Sequence, residues 1–376
     1  MDPNEKLSLR YRVQRSIRRR KPVSPFWYLG LAVLLLLACV LLKVLPKAKP
    51  APEYEGIAGT GAFTATFTGN INCVGDGKTI DADGYAEYFK GVTGIFDKAD
   101  YVSVPVNDPI LDDYVETYTS TMSIKFADKY FNIELADALR DIGVTDATIC
   151  NKSIFLYGSK GALETARTLE MAGINISGLD TTTTSDGAVA SSYRWESGTI
   201  LHVGIEASDD RTRDYSTYDI RTYSDKFNNI AHDITLLREQ NPNAFIAVTV
   251  SWAERYLLKP STYMKDLCHS IIDCGADVVI GSGIEMVLSV EQYDGHYIFY
   301  GLGNLVSYEA YTMTQRGAVL NCVFDESGNV TYEVVPLTVK NGVPVISSSS
   351  IILRTLVSDI GKDVDYTIEN GRLILK

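Results

Sequence analysis

Residues 25–45 form an almost unbroken apolar run, with FWYLGLAVLLLLACVLL at its centre. A helix rises about 1.5 Å per residue and a bilayer's hydrocarbon core is about 30 Å thick, so roughly 20 such residues cross it once. No polar face interrupts the run, which argues against a buried helix of a soluble core. The flanks give it a direction. Residues 1–21 hold eight Lys and Arg against Asp2 and Glu5, and cationic flanks stay cytoplasmic. The expectation is one transmembrane helix at the cell membrane, with the N-terminus cytoplasmic and the C-terminal domain extracellular. A cleaved signal peptide is the competing reading. Its apolar core spans only about 7–15 residues and ends at a small-x-small site. Here the run exits through Lys43, Pro46, Lys47 and Lys49, and Pro50 makes Ala48-Lys49 a poor cleavage site.

The formal charge of −12 hides an asymmetry. Beyond the anchor, residues 50–376 carry 24 Lys and Arg against 45 Asp and Glu, a net of −21. Such a surface repels polyanions, so nucleic acid is excluded as a partner. Of six cysteines, Cys39 lies in the apolar run, and Cys73, Cys150, Cys268, Cys274 and Cys322 follow it without a CxxC or a Cys/His cluster of zinc spacing. Small buried thiols are the expected reading.

The organisation expected from this is a cytoplasmic basic tail over 1–24, the transmembrane helix over 25–45 and a Pro/Ala/Gly linker over 46–61. A domain over 62–325 follows, then a strand-rich extension over 326–376 packed on it. Ala62–Thr68 alternates with period two and Tyr101–Val106 reads as a short strand. Helical spacing over Ile133–Ile142, Lys160–Ala172, Asp225–Glu239 and Tyr263–Cys274 alternates with strand-like Asp146–Cys150, Ile174–Ser177, Phe245–Val250 and Asp277–Ile280. This alternation argues an α/β architecture with buried central strands. From Val287 onward strands dominate, with turns at Asp294-Gly295 and Ser327-Gly328-Asn329.

The order of segments resembles the bacterial capsule-synthesis CapA family, also called the poly-γ-glutamate capsule (PGA_cap) family. The likeness covers roughly residues 62–325. It is carried by Gly275-Ala276-Asp277-Val278-Val279-Ile280-Gly281, then Tyr293-Asp294-Gly295, then Ile298-Phe299-Tyr300-Gly301-Leu302-Gly303-Asn304-Leu305. The family reads GADVVIGHHPHV…Y.G..I.YSLGNF there. The resemblance implies a calcineurin-like metallophosphatase fold, an αββα β-sandwich flanked by helices, with two metal ions on loops after the strands.

The departures concern the metal ligands. The family's GD.M motif falls on Gly69-Asn70-Ile71-Asn72, placing Asn70 where an Asp is expected. Its NLE motif falls on Pro105-Val106-Asn107, its NNH motif on Asn151-Lys152-Ser153, and its HWG motif on Ser251-Trp252-Ala253. Its GHHPH motif falls on Gly281-Ser282-Gly283-Ile284-Glu285, which has no His. Two divalent cations need several anionic or imidazole ligands on one spot; Asn, Ser, Gly and Lys do not offset their dehydration. None of His202, His232, His269 and His296 falls on a ligand position. No metal and no cofactor is expected.

The remnant of that site defines the candidate ligand-binding residues: Asn70, Asn72, Asn151, Ser251, Trp252, Glu254, Ser282, Glu285 and Asn304. Each has an ordinary reading as well. Asparagines satisfy loop backbone, Trp252 beside a buried strand is more often a core aromatic, and Glu254 and Glu285 are commonly solvated. Tyr308 and Tyr311 have helical spacing, as a helix face packing on its own sheet would. There is no GxSxG elbow and no Ser/His arrangement.

The favoured function is a membrane-anchored, non-catalytic CapA-like protein assisting assembly of capsule, poly-γ-glutamate or another envelope polymer. Its partners would be the polymer or its assembly proteins. The alternatives are an envelope enzyme with a rearranged site using Glu254, Glu285, Asp76 or Asp108, and a surface sensor or adhesion module.

Overall fold

The computed structural model describes residues 54–72, 82–112, 130–179, 190–207, 223–309, 311–361 and 364–376. In the apolar run it describes Trp27, Gly30, Val33 and Leu34, which are helical. The chain divides into Met1–Pro50 and Ala51–Lys376. The expected transmembrane segment lies mostly outside the described residues, as does Asp76. Among the described residues no helix is long and apolar enough to cross a membrane.

The larger unit is mixed α/β. It begins with β1 (Phe63–Thr68), β2 (Asn70–Ile71), helices α1 (Ala82–Phe89) and α2 (Thr93–Phe96), and β3 (Tyr101–Pro105). Then come α3 (Glu134–Asp141), β4 (Asp146–Thr148), a 3-10 turn over Lys152–Tyr157, α4 (Gly158–Met171) and β5 (Asn175–Ser177). The hairpin β6 (Ala190–Trp195) and β7 (Gly198–Ala207) leads to α5 (Tyr223–Gln240), β8 (Phe245–Trp252), α6 (Thr262–Asp273) and β9 (Val278–Ser282). Next are β10 (Val290–Tyr293), β11 (His296–Phe299), β12 (Asn304–Val306), β13 (Arg316–Phe324), β14 (Val330–Lys340) and β15 (Val343–Ile346). The chain closes with α7 (Ser350–Leu356), β16 (Tyr366–Glu369) and β17 (Arg372–Leu375).

Two sheets result. One has the order β16-β17-β14-β13-β1-β3-β4-β5 with β15 on β14; the other has the order β10-β11-β9-β8-β7-β6. Phe63, Ala65 and Phe67 of the first pack with Ala247, Val278, Ile280 and Phe299 of the second, so the sheets meet face to face. The outer face of the first sheet packs against Tyr85, Phe89, Leu139 and Ala166 of helices α1, α3 and α4. The outer face of the second packs against Ile234, Leu267 and Ile271 of α5 and α6. The layers therefore run helix, sheet, sheet, helix. Residues 326–376 supply β14, which pairs with β13 from Arg316↔Thr338 to Phe324↔Val330, and β17, which pairs with β14.

Double coverage explains why β1 is buried along its whole length although its sequence alternates. Phe63, Ala65 and Phe67 face the sandwich interior, and the intervening threonines face the helix layer. There Thr66 donates to Asn321 Oδ1 at 2.7 Å, and Asn321 donates to Glu333, so the buried hydroxyl is satisfied.

A polar cluster sits between the sheets. His202, fully buried on β7, places Nδ1 3.0 Å from Asp146 Oδ1 and Nε2 2.8 Å from Thr249 Oγ1. Ser103 and Ser177 donate to the same Asp146 oxygen at 2.8 and 3.2 Å. His202 is thus wholly enclosed. Tyr308 and Tyr311 do not lie on a helix. Tyr308 stacks edge-on against Tyr88 of α1, and the exposed Tyr311 against Tyr256.

Glu291 on β10 ties the C-terminal segment to α6. It accepts from Tyr300 at 2.8 Å, lies 2.9 Å from His269 Nε2, and is 3.3 Å from Lys265 Nζ, which also reaches Asp359. Burial raises the Glu291 carboxyl, but the Tyr300 and His269 hydrogen bonds and the Lys265 charge outweigh it and hold it below the usual range. A depressed carboxyl stabilises the fold above its unfolded pKa of about 4.3, and that contribution is lost as pH falls through the folded value. The Glu291→Gln variant should therefore lose stability at pH 7 and show a shallower fall of stability below about pH 4.3 than the parent. Urea unfolding across pH 3–7 checks this; parallel curves would remove Glu291 from the acid response.

Candidate functional site

Strands β3 and β4 of one sheet run parallel, as do β7, β8 and β9 of the other. Parallel strands deliver their C-terminal loops to one edge, where ligands bind in α/β folds. These loops enclose a small cleft of about 40 Å³ lined by Asn72, Asn107, Asp108, Asn151, Lys152, Ser153, Glu206, Ser251, Trp252, Ala253, Arg255, Gly283 and Glu285. Of the sequence candidates, Asn72, Asn151, Ser251, Trp252 and Glu285 meet here.

Asn70 and Asn304 stand directly behind the cleft. Asn70 is fully buried; its Oδ1 accepts from the Gly283 amide at 2.8 Å and its Nδ2 donates to the Ile284 carbonyl at 2.8 Å. It therefore shapes the loop that carries Glu285. Asn304 begins β12, which pairs with β2 at Asn304↔Asn70. Gly303 before it has φ +67, and a Cβ there would come within 2.4 Å of the Arg316 carbonyl. Glycine is required at this turn, which agrees with an architectural reading of the Gly-Leu-Gly-Asn segment.

Two candidates fall elsewhere. Glu254 is exposed and does not line the cleft; its neighbours Ala253 and Arg255 do. Ser282 is buried in β9 opposite Ser251, one residue short of the lining Gly283. Trp252 is both wall and core, because its indole donates to the Tyr300 carbonyl at 2.9 Å and its ring belongs to the apolar layer under α5 and α6. Asn151 caps the 3-10 turn, accepting from the Ser153 amide at 2.9 Å and donating to the Val106 carbonyl at 2.9 Å.

The amides form a directed chain. Asn304 Nδ2 donates to the Thr314 carbonyl at 2.9 Å, so its Oδ1 must face the other way and accept from Asn72 Nδ2 at 2.8 Å. Asn72 Oδ1 then accepts from Asn107 Nδ2 at 2.9 Å. The polarity of the whole chain is thus set by a backbone carbonyl.

Sequence reasoning missed Glu206 and Arg255 as cleft residues, whereas Lys152 lies on the site as the motif order placed it. Glu206 is buried at the C-terminal end of β7. Its signal was an acid closing the apolar strand Gly198–Ala207 immediately before a loop. Arg255 is half exposed and lies 3.5 Å from Glu285. The Cys150 thiol is pushed up by burial and, secondarily, by the Glu206 charge, so it remains protonated at neutral pH.

Residues 64–309 match the sequence profile of the family described as bacterial capsule synthesis protein PGA_cap. The chain belongs to the bacterial capsule synthesis PGA_cap family. PGA biosynthesis protein CapA of Bacillus subtilis (strain 168) is 25% identical over 312 residues, 79% of this chain and 77% of that protein. Capsule biosynthesis protein CapA of Bacillus anthracis is 23% identical over 392 residues, 99% of this chain and 91% of that protein. Among solved structures, TT1561 of Thermus thermophilus gives a TM-score of 0.40 at 12% identity, covering 68% of this chain and 94% of that one. The Thermus thermophilus sulfate thiohydrolase SoxB, solved with glycerol, gives 0.40 at 11% identity, covering 73% and 46%.

The donor set of this PGA_cap member does not fit the two divalent cations that its metallophosphatase resemblance implies. Both ends of Asn70, Asn304 and Asn151 are committed to backbone or to one another. Among the described residues no group of three or more His, Cys, Asp or Glu is placed to hold a metal ion. Lys152 and Arg255 add positive charge to the same walls.

Proposed function

We propose that this protein is a membrane-anchored, extracytoplasmic member of the capsule-synthesis family that binds envelope polymer, or a growing end of it, without hydrolysing it. Metallophosphatase-like architecture is retained as a scaffold, and the cleft at its strand ends serves recognition. The observation that carries this reading is the commitment of Asn70, Asn72 and Asn304 to hydrogen bonds with one another and with backbone where the family's fold would set metal ligands. The apolar run over 25–45 and its basic flank support the anchoring, and the names of the two Bacillus relatives support a place in capsule assembly.

Elemental analysis of the full chain in detergent, after exposure to manganese, zinc or iron, tests it. No stoichiometric metal is expected, and none is expected in Asn70→Asp either. An aspartate at 70 would still accept from Gly283 but would set a carboxylate against the Ile284 carbonyl, so that variant should melt lower. Two tightly held equivalents in the parent would overturn the reading. They would favour an envelope hydrolase using Asp108 and Glu285, which do line the same cleft.

A further inference from the structure

Strand β16 ends the first sheet at one edge and pairs with β17 alone. Asn370 and Gly371, both at positive φ, close the β16–β17 hairpin in two residues between Glu369 and Arg372. Hydrogen-bonded pairs alternate along an antiparallel ladder. Glu369 and Thr367 therefore bond to β17, and the N–H and C=O groups of Tyr366 and Ile368 point away from it. Among the described residues no hydrogen bond reaches those outward groups, and the whole strand is exposed. Natural sheets guard such an edge with Lys, Pro or a bulge. The strand Tyr366–Glu369 has none of these.

The side chains are uncovered as well. Tyr366 and Ile368 stand opposite Leu375 and Leu373, which belong to the core between the sheets. The apolar face thus continues one strand beyond its cover and leaves Tyr366 40% and Ile368 49% exposed. Asp365 and Glu369 flank this pair. Glu369 accepts from Thr367 Oγ1 at 3.0 Å, and among the described residues neither acid forms an ion pair. These charges decide the occupant. Two copies of β16 paired antiparallel along its full length would set Thr367 against Thr367 and Asp365 against Glu369 at both ends. Like charges directly opposite one another destabilise a sheet, and each copy carries a net of −21 beyond the anchor.

We propose that β16 is the docking edge for an extended segment of a partner protein, which adds to the first sheet as its outer strand. The segment places apolar residues opposite Tyr366 and Ile368 and Lys or Arg opposite Asp365 and Glu369. Backbone hydrogen bonds supply the affinity, and the alternation of apolar and basic side chains supplies the specificity. No residue of this edge lines the cleft, so the proposal stands or falls apart from polymer recognition.

Isothermal titration calorimetry on the full chain in detergent, with the peptide acetyl-Ser-Lys-Val-Thr-Val-Lys-Ser-amide as probe, is the experiment. N-methylation of either valine amide removes a donor that faces the edge and is expected to weaken binding about tenfold. N-methylation of the threonine amide, which faces outward, should change binding by less than about twofold. Replacing both lysines by glutamate should weaken binding about tenfold. Ile368→Pro removes the outward N–H and spares the ladder to β17, so it should weaken the unmodified peptide about tenfold as well. The methylation series stands even if this variant folds poorly. An equal response at all three amides would overturn strand addition, because charge attraction alone does not distinguish them. Absence of binding by the unmodified peptide would overturn it too. A parent that dimerises with rising concentration in sedimentation, while Ile368→Pro stays monomeric, would overturn the partner in favour of a second copy.

Discussion

His202→Leu is expected to destabilise the protein by about 3–5 kcal/mol, the usual cost of stripping one partner from a buried pair. The leucine keeps most of the volume, so the loss is chiefly electrostatic and hydrogen-bonding. It leaves Asp146 fully buried, with Oδ1 held only by Ser103 and Ser177 and Oδ2 without a partner. It also strips a partner from Thr249. Asp146→Leu should be similarly costly, and the double variant should lose at least about 1 kcal/mol less than the two single losses together. Chemical unfolding of the four proteins gives that coupling directly. Additive losses would mean that the pair does not act as a unit. Such a pair contributes orientation more than net stability, since a well-packed apolar replacement can match it. What it orients is the inner face on which His202 leads along β7 to Glu206, and Asp146 along β4 towards Cys150, both at the cleft end.

Asn70→Leu should cost about 2–6 kcal/mol, because it orphans two backbone groups at about 1–3 kcal/mol each. The Gly283 amide and the Ile284 carbonyl lose their only side-chain partner shown; Asn70 and Ile284 are fully buried, while Gly283 lies at the cleft. The effect should reach the cleft, since the same loop carries Glu285. Hydrogen exchange at Gly283 should accelerate by far more than exchange at β13, where the ladder to β14 is untouched. A loss under about 1 kcal/mol would show that the loop is held by other contacts and that Asn70 is not its anchor.

Much of the larger unit was legible because its periodicity is strong. Phe245–Val250 and Asp277–Ile280 read as strands between helices of clear spacing, and they form most of β8 and β9, the parallel centre of the second sheet. The β6–β7 hairpin was not read. Its first strand, Ala190–Trp195, mixes serine, arginine and aromatics, and its burial is decided by ring contacts such as Trp195 against Phe63, far away in sequence. Helix α1 was missed because Ala82–Phe89 is short, and Tyr85 and Phe89 are buried in a core built from residues far away in sequence. At the cleft, motif order found Asn72, Asn151, Ser251, Trp252 and Glu285. It misplaced Glu254 and Ser282, because a position in a motif does not say on which side of the chain its side chain leaves.

By itself the sequence determined the alternating α/β plan, the acidic character of the larger unit, the family, and the replacement of metal-ligand types by amides and hydroxyls. Each is a property of residue kind and order. The tertiary structure alone decided that these amides join into one directed chain ending on Asn107 Oδ1, that Glu206 arrives from a strand unmarked by any motif, and that His202 is sealed against Asp146. The physical reason is that hydrogen-bond direction and burial depend on which strands of two different sheets come to face each other, and local spacing carries no information about that.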